Sequence, residues 1–130
     1  MATPAKRSFH LAAGAGASVS VEVTSAGGRR PVVVLCGLLP ELGARLARAG
    51  FAAVAVDPRA PRDLEIVLEA LQRGALDVDA DGRCGVLITR TGTERVAPPA
   101  AVGVPWLVVR DAPDEREVEA IVQWLARHLV

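Results

Sequence analysis

A chain of 130 residues is one domain, long enough to bury a core and too short for two. Fifteen basic and fifteen acidic residues give a formal net charge of zero, and with no long basic block the electrostatic footprint of a nucleic-acid or membrane-surface binder is excluded. No apolar run approaches the roughly 18 to 20 residues of a membrane helix. The N-terminus "MATPAKRSFHLAAGAGASVSV" also has no apolar core of signal-peptide length, so a cytoplasmic location is expected.

In chain order, the first 36 residues read as two strands feeding a third. Val19, Val21 and Val23 alternate with Ser18, Ser20, Glu22 and Thr24, the period-2 pattern of a strand with one buried face. Gly27 and Gly28 then turn the chain. "PVVVLC" (Pro31 to Cys36) has no alternation, which suits a parallel strand buried on both faces.

Pro40 fits a first helical turn and Glu41 its positive end, while Arg45 and Arg48 fit the negative end and Gly50 the stop. Leu42, Leu46 and Ala49 are expected to face the sheet. "FAAVAV" (Phe51 to Val56) is a second buried strand, ending at the loop "DPRAPR". Asp63 is the expected N-cap of a helix whose Leu64, Val67, Leu68 and Leu71 fall at i, i+3, i+4 and i+7, with Gly74 ending it.

After the loop "DVDADGR" come a strand at Cys84 to Thr89, an irregular stretch to Gly103, and a strand at Pro105 to Val109. The last helix starts near Asp114, with Val118, Ile121, Val122, Leu125 and Leu129 on one stripe. Alternating strands and helices after an antiparallel start predict a three-layer α/β domain: a mostly parallel sheet with helices on both faces.

Several segments in this order resemble the α/β-hydrolase fold, most closely its dienelactone-hydrolase-like branch. "RRPVVVLCG" looks like that family's first central strand, and "LARAGFAAVAVDPR" like the helix and strand that follow. "DVDADGRCGVLITRTG" resembles the loop and strand that deliver the nucleophile elbow. "GVPWLVVRDAPD" resembles the late strand before the catalytic acid, and "VEAIVQWLARHLV" the closing helix. Each motif is weak alone; their shared order over roughly residues 8 to 130 carries the resemblance.

The catalytic parts depart from it. The family's G-x-S-x-G turn maps onto Ile88, Thr89, Arg90, Thr91 and Gly92, so Arg90 stands where the nucleophile belongs. A guanidinium stays protonated and offers no acceptor, so it cannot attack. Thr89 or Thr91 could supply a hydroxyl, but a β-branched residue in the elbow's positive-φ geometry would be strained. The resemblance maps the catalytic acid onto Asp114 and implies that the segment carrying the catalytic His is missing. Cys36 stands at the oxyanion His, with Gly37 matching beside it. His10 is expected on the far side of the sheet, and His128 as a cation at a helix C-terminus. A helix and a strand of the family are also missing between Gly92 and Val104. A loop would then have to cross to the last strand, or a second subunit would have to supply that strand; a homodimer is the simplest cover for the edge that remains.

Other motifs point elsewhere. Asp77, Asp79, Asp81 and Gly82 match four positions of a calcium-binding loop, but Ile88 replaces the closing Glu and a strand follows, so a solvated turn is expected and no metal. "CGLLPELG" followed by Asp57 echoes a dinucleotide fingerprint, but Leu38, Leu39 and Pro40 occupy places where backbone must approach a pyrophosphate, so no cofactor is expected. Cys36 and Cys84, on neighbouring parallel strands, should lie on the order of 15 Å apart and cannot pair. Cys84 reads as core, whereas Cys36 is either core or a reactive thiol.

The strands' carboxyl ends gather Cys36, Gly37, Asp57, Arg59, Thr89, Arg90, Thr91, Arg110, Asp111 and Asp114, where open α/β sheets bind ligands. Two or three arginines there suit a carboxylate or phosphate, unless these charges pair with one another. The sequence thus leads to a hydrolase-like domain without covalent hydrolysis, binding a small molecule or a partner as a homodimer. Any catalysis would rest on acid/base chemistry by Asp114 or Asp57. An esterase or lactone hydrolase with a relocated nucleophile (Cys36 or a Thr) and a purely structural interaction domain are the alternatives.

Overall fold

The computed structural model of the chain describes residues 5–14, 16–26, 30–37, 40–57, 59, 62–76, 80–91 and 104–129. In order these form β1 (Ala5–Gly14), β2 (Ala17–Ser25), β3 (Arg30–Cys36), α1 (Pro40–Arg48), β4 (Ala52–Val56), α2 (Asp63–Gln72), β5 (Ala80–Thr89), β6 (Trp106–Val109) and α3 (Glu115–Leu129). The strands make one sheet in the order β1-β2-β4-β3-β5-β6. β1 and β2 form an antiparallel hairpin and β2 runs antiparallel to β4. β4, β3, β5 and β6 are mutually parallel.

Topology decides which face each helix covers. β4 lies on one side of β3 and β5 on the other, so connections of one hand must put α1 and α2 on opposite faces. The cores follow this. Val32, Val34 and Cys36 of β3 pack with Val54, Val56, Val86 and Ile88 against Leu64, Val67 and Leu68 of α2. Val33 and Leu35 pack with Ala53 and Leu87 against Leu42 and Leu46 of α1 and Val118, Ile121, Leu125 and Leu129 of α3. β3 therefore needs an apolar side chain at every position, which is why "VVVLC" shows no alternation. β2 is covered on one face only: Val19, Val21 and Val23 join the α2 core, and Ser20 and Glu22 point to the other side.

Four expectations change. Ala49 is exposed, because α1 ends at Arg48 and the chain turns away at Gly50 (φ +102°); Ala47 is buried instead. Asp63 is not the N-cap of α2 but its first residue, after Arg62, which makes no side-chain cap. The Asp63 carboxylate, buried, accepts the Arg59 N–H at 2.7 Å. β5 begins at Ala80, because Ala80 pairs with Arg30 and a bulge before Val32 absorbs the extra residues. Cys84 therefore lies inside β5, opposite Val32, about 13 Å along the strands from Cys36; both thiols are free.

β6 comes from this same chain, pairing Val86 with Trp106 and Thr89 with Val109, and the Val86 N–H continues the ladder to the Pro105 carbonyl at 2.9 Å. The expected crossing segment and the three aspartates' loop start, residues 92–103 and 77–79, lie outside the described residues. β6 is an edge of the sheet. Its Trp106 and Val108, sharing the face of Val86 and Ile88, are 38% and 42% exposed, since α2 sits over the other end of that face. Among the described residues no helix is long and apolar enough to cross a membrane.

Candidate functional site

The parallel strands deliver their last residues to one end of the sheet, and two groups of side chains form there. The first is at the ends of β5 and β6. Thr89 is buried at 3% exposure, and Arg90 and Thr91 follow in an exposed turn. The Arg90 N–H donates to the Val109 carbonyl at 3.0 Å, extending the β5–β6 ladder by one bond. Asp111 locks the turn: one carboxylate oxygen accepts the Thr91 N–H at 3.1 Å and the other the Thr91 hydroxyl at 2.5 Å. These two Thr91 bonds, with help from the Thr89 hydroxyl and the Arg90 charge, hold the Asp111 carboxyl below its ordinary range. A carboxylate so satisfied is a poor base, and a hydroxyl donating to it is not activated for attack.

The neighbouring charges are engaged in the same way. Arg110 pairs with Glu117 at 2.7 Å. Asp114 precedes α3, and its carboxylate accepts the Glu117 N–H at 2.9 Å while Glu117 accepts the Asp114 N–H at 3.2 Å. This reciprocal pair is a capping box, so the acid expected from the resemblance serves the start of α3. Arg45 of α1 reaches Glu115 at 2.8 Å and ties the two helices on this face.

Gly37 joins the first group to the second. At φ +128° it is in backbone territory that side chains rarely adopt, and a Cβ there would lie 2.4 Å from the Thr89 hydroxyl oxygen. Only glycine lets the chain leave β3 this close to β5. The Gly37 N–H donates to the Val56 carbonyl at 2.9 Å, so it is used by the β3–β4 ladder and does not face an oxyanion. Cys36 is fully buried. Burial, then the negative charges of Asp63 and Asp57, push its thiol up to about 12. A thiolate is scarce at neutral pH under these conditions, which suits the packed alternative for Cys36. Cys84, half-buried, is pushed up to about 11 by burial alone.

The second group surrounds a cleft of about 390 Å³ between the β1–β2 hairpin and the ends of β3 and β4. It is lined by polar residues of the hairpin (Ser8, His10, Ser20 and Glu22), by Gly37 and Asp57 from the strand ends, and by the apolar Phe9, Val21, Ala55 and Val56. Strand pairing sets His10 opposite Ser20 and Ser8 opposite Glu22, and the Ser20 hydroxyl and His10 Nδ1 are 3.3 Å apart. Glu22 also pairs with Lys6 at 2.9 Å. The sequence set His10 aside as remote, and it is remote from Arg90: β1 is four strands from β5, about 19 Å. It is nevertheless on the same cleft as Gly37 and Asp57. The signal was available, since the alternation that buries Val19, Val21 and Val23 must turn Ser20 and Glu22 to the opposite face.

Of the expected site residues, the structure brings together Thr89, Arg90, Thr91 and Asp111, with Arg110 and Asp114 beside them on Glu117. Gly37 and Asp57 meet on the cleft, and Arg59 is exposed beyond β4. His128, in the last turn of α3, stacks on Trp124 with centroids 4.4 Å apart, and its Nδ1 donates to the Trp124 carbonyl at 2.9 Å. Among the described residues no three His, Cys, Asp or Glu side chains are placed to hold a metal ion.

No protein-family profile and no curated protein matches the chain. Solved structures do. A hypothetical protein from Pseudomonas aeruginosa superposes with a TM-score of 0.62 at 15% identity, covering 98% of this chain and 53% of its own. The esterase LipW from Mycobacterium marinum gives 0.59 at 22% identity, covering 97% and 54%. The esterase Est22 gives 0.55 at 13% identity, covering 68% and 35%. The chain thus spans about half the length of the first of these and of LipW. These likenesses establish the architecture: a six-stranded mixed sheet with three helices, an α/β fold like that of the α/β-hydrolase esterases.

Proposed function

We propose that this chain is an α/β-hydrolase-like protein that does not hydrolyse through a covalent intermediate and acts by binding a small molecule or a partner, as a homodimer. One observation carries the reading: where the fold delivers its nucleophile, Arg90 stands on a turn that Asp111 ties down through both the N–H and the hydroxyl of Thr91. The other candidate nucleophiles, Thr89 and Cys36, are buried, and the Cys36 thiol is pushed up to about 12. The esterase neighbours support a hydrolytic ancestry. An anion at this rim would meet the arginines there, of which Arg110 is paired with Glu117 and Arg90 lies beside the Asp111 carboxylate. The exposed edge at β6, with Trp106 and Val108 beside it, supports the homodimer.

The test is turnover of p-nitrophenyl acetate and butyrate by the wild-type chain, with Cys36→Ala and Thr91→Ala run alongside. The expected rate is background for all three. Saturable turnover abolished by either substitution would overturn the reading in favour of a relocated nucleophile. Light scattering at micromolar concentration tests the assembly, and a monomer there would remove the dimer.

A further inference from the structure

We propose that β6 is the interface of the homodimer: two copies pair β6 against β6, antiparallel about a two-fold axis at Leu107, with Trp106 of each copy opposite Val108 of the other. This rests on the homodimer reading above and assigns it a surface, an orientation and a register.

The backbone of β6 sets the register. Its Pro105 and Val109 carbonyls accept the Val86 and Arg90 N–H groups at 2.9 and 3.0 Å. Backbone groups alternate sides along a strand, so Leu107, midway between them, also faces β5. The N–H and C=O of Trp106 and Val108 therefore point away from the sheet, where no described strand meets them. Such a row is a template for another strand.

The side chains mark the same place. Among the described residues, Trp106 and Val108 are the two large apolar side chains that stand exposed, and as alternate residues of one strand they share a face. The opposite edge of the sheet is built differently. β1 carries Lys6, Arg7 and His10 and a bulge between Ala12 and Gly14, devices that keep an edge from pairing. β6, Trp-Leu-Val-Val, has no charge and pairs without a bulge; its shortness is its one guard.

Self-complementarity selects a second copy as the occupant. With Leu107 facing Leu107 across the axis, Trp106 of one copy and Val108 of the other fall in hydrogen-bonded positions, where each pair exchanges both N–H···O bonds. Every outward group of Trp106 and Val108 is then satisfied. An aromatic and a β-branched side chain also meet across the strands, a favourable pair, and no charge of β6 is buried. Shifting the register would leave one of these residues unpaired. The formal net charge of zero adds no long-range repulsion between copies.

Light scattering over a dilution series, together with cysteine cross-linking in a Cys84→Ala background, tests the interface. Leu107→Cys should give a disulfide-linked dimer on mild oxidation, since facing Cα atoms of a non-hydrogen-bonded pair lie about 4.5 Å apart. An equal mixture of Trp106→Cys and Val108→Cys chains should cross-link as well. Either chain alone should do so at least tenfold less, because like positions would lie about 8 Å apart. Val108→Pro removes an outward N–H and leaves the β5 ladder whole, and it should weaken the dimer at least tenfold. Trp106→Lys should do the same, with circular dichroism checking that both variants fold. A dimer that survives both substitutions, or that cross-links at none of these positions, overturns this interface and leaves the homodimer reading standing. A wild-type chain that is monomeric overturns both.

Discussion

The two ends of the sheet solve the same problem differently. At β5 and β6, three charged groups near the strand ends have named partners in the fold: Asp111 holds Thr91, Arg110 holds Glu117, and Asp114 caps α3. At β1, β2 and β4, polar side chains of similar number line a cleft, and acidic groups prevail there. The difference shows that a polar rim is not by itself a site. At the β5 end the charges complete turns and a helix start; at the hairpin end the same kinds of residue line a cleft together with apolar ones.

Gly37 belongs to both regions, so it offers the largest test. Gly37→Ala should destabilise the fold by about 2 to 4 kcal/mol, combining a strained positive φ with a clash on Thr89. Urea unfolding would measure it, and Thr89→Ala in the same chain should recover part of the loss, since the hydroxyl and methyl of Thr89 are the two nearest obstacles. A neutral Gly37→Ala would mean that the two regions are not locked together at this point.

The next effect separates structural acids from functional ones. Asp114→Ala should cost about 1 kcal/mol through the lost cap, whereas Asp114→Asn, which still accepts the Glu117 N–H, should cost almost nothing. Equal losses for the two would show that the carboxylate's charge matters beyond capping.

The smallest concerns acid stability. The folded Asp111 carboxyl titrates below its ordinary value of 3.8, so its stabilising contribution is complete above that value and is lost as pH falls through the lower folded one. Asp111→Asn should therefore flatten the acid limb of an unfolding curve below about pH 4 and lower the neutral plateau toward the wild-type acid value. An unchanged acid limb would place the Thr91–Asp111 bonds among surface contacts without energetic weight.

How much of this was legible in the chain depends on the range of the forces. Unbroken apolar runs marked β3 and β4, and the heptad-like stripe marked α3, because burial on two faces or on one face imposes its own period on the side chains. The start of β5 was not legible: Ala80 to Arg83 read as loop, and only pairing with Arg30 across a bulge makes them strand. Asp63 looked like a cap by its neighbours in sequence, yet its carboxylate is taken by the Arg59 N–H, a contact set by how the preceding loop folds back.

For the site, the sequence by itself determined that Arg90, a guanidinium with no lone pair to offer, stands where the resemblance puts a nucleophile. It also placed the candidate residues at one end of the sheet, because strand ends follow from strand order. Tertiary structure alone decided which of those charges are spent. Whether Arg110 meets a ligand or Glu117, and whether His10 is remote or on a cleft with Asp57, depends on distances across four or more strands and helices, which no local pattern encodes.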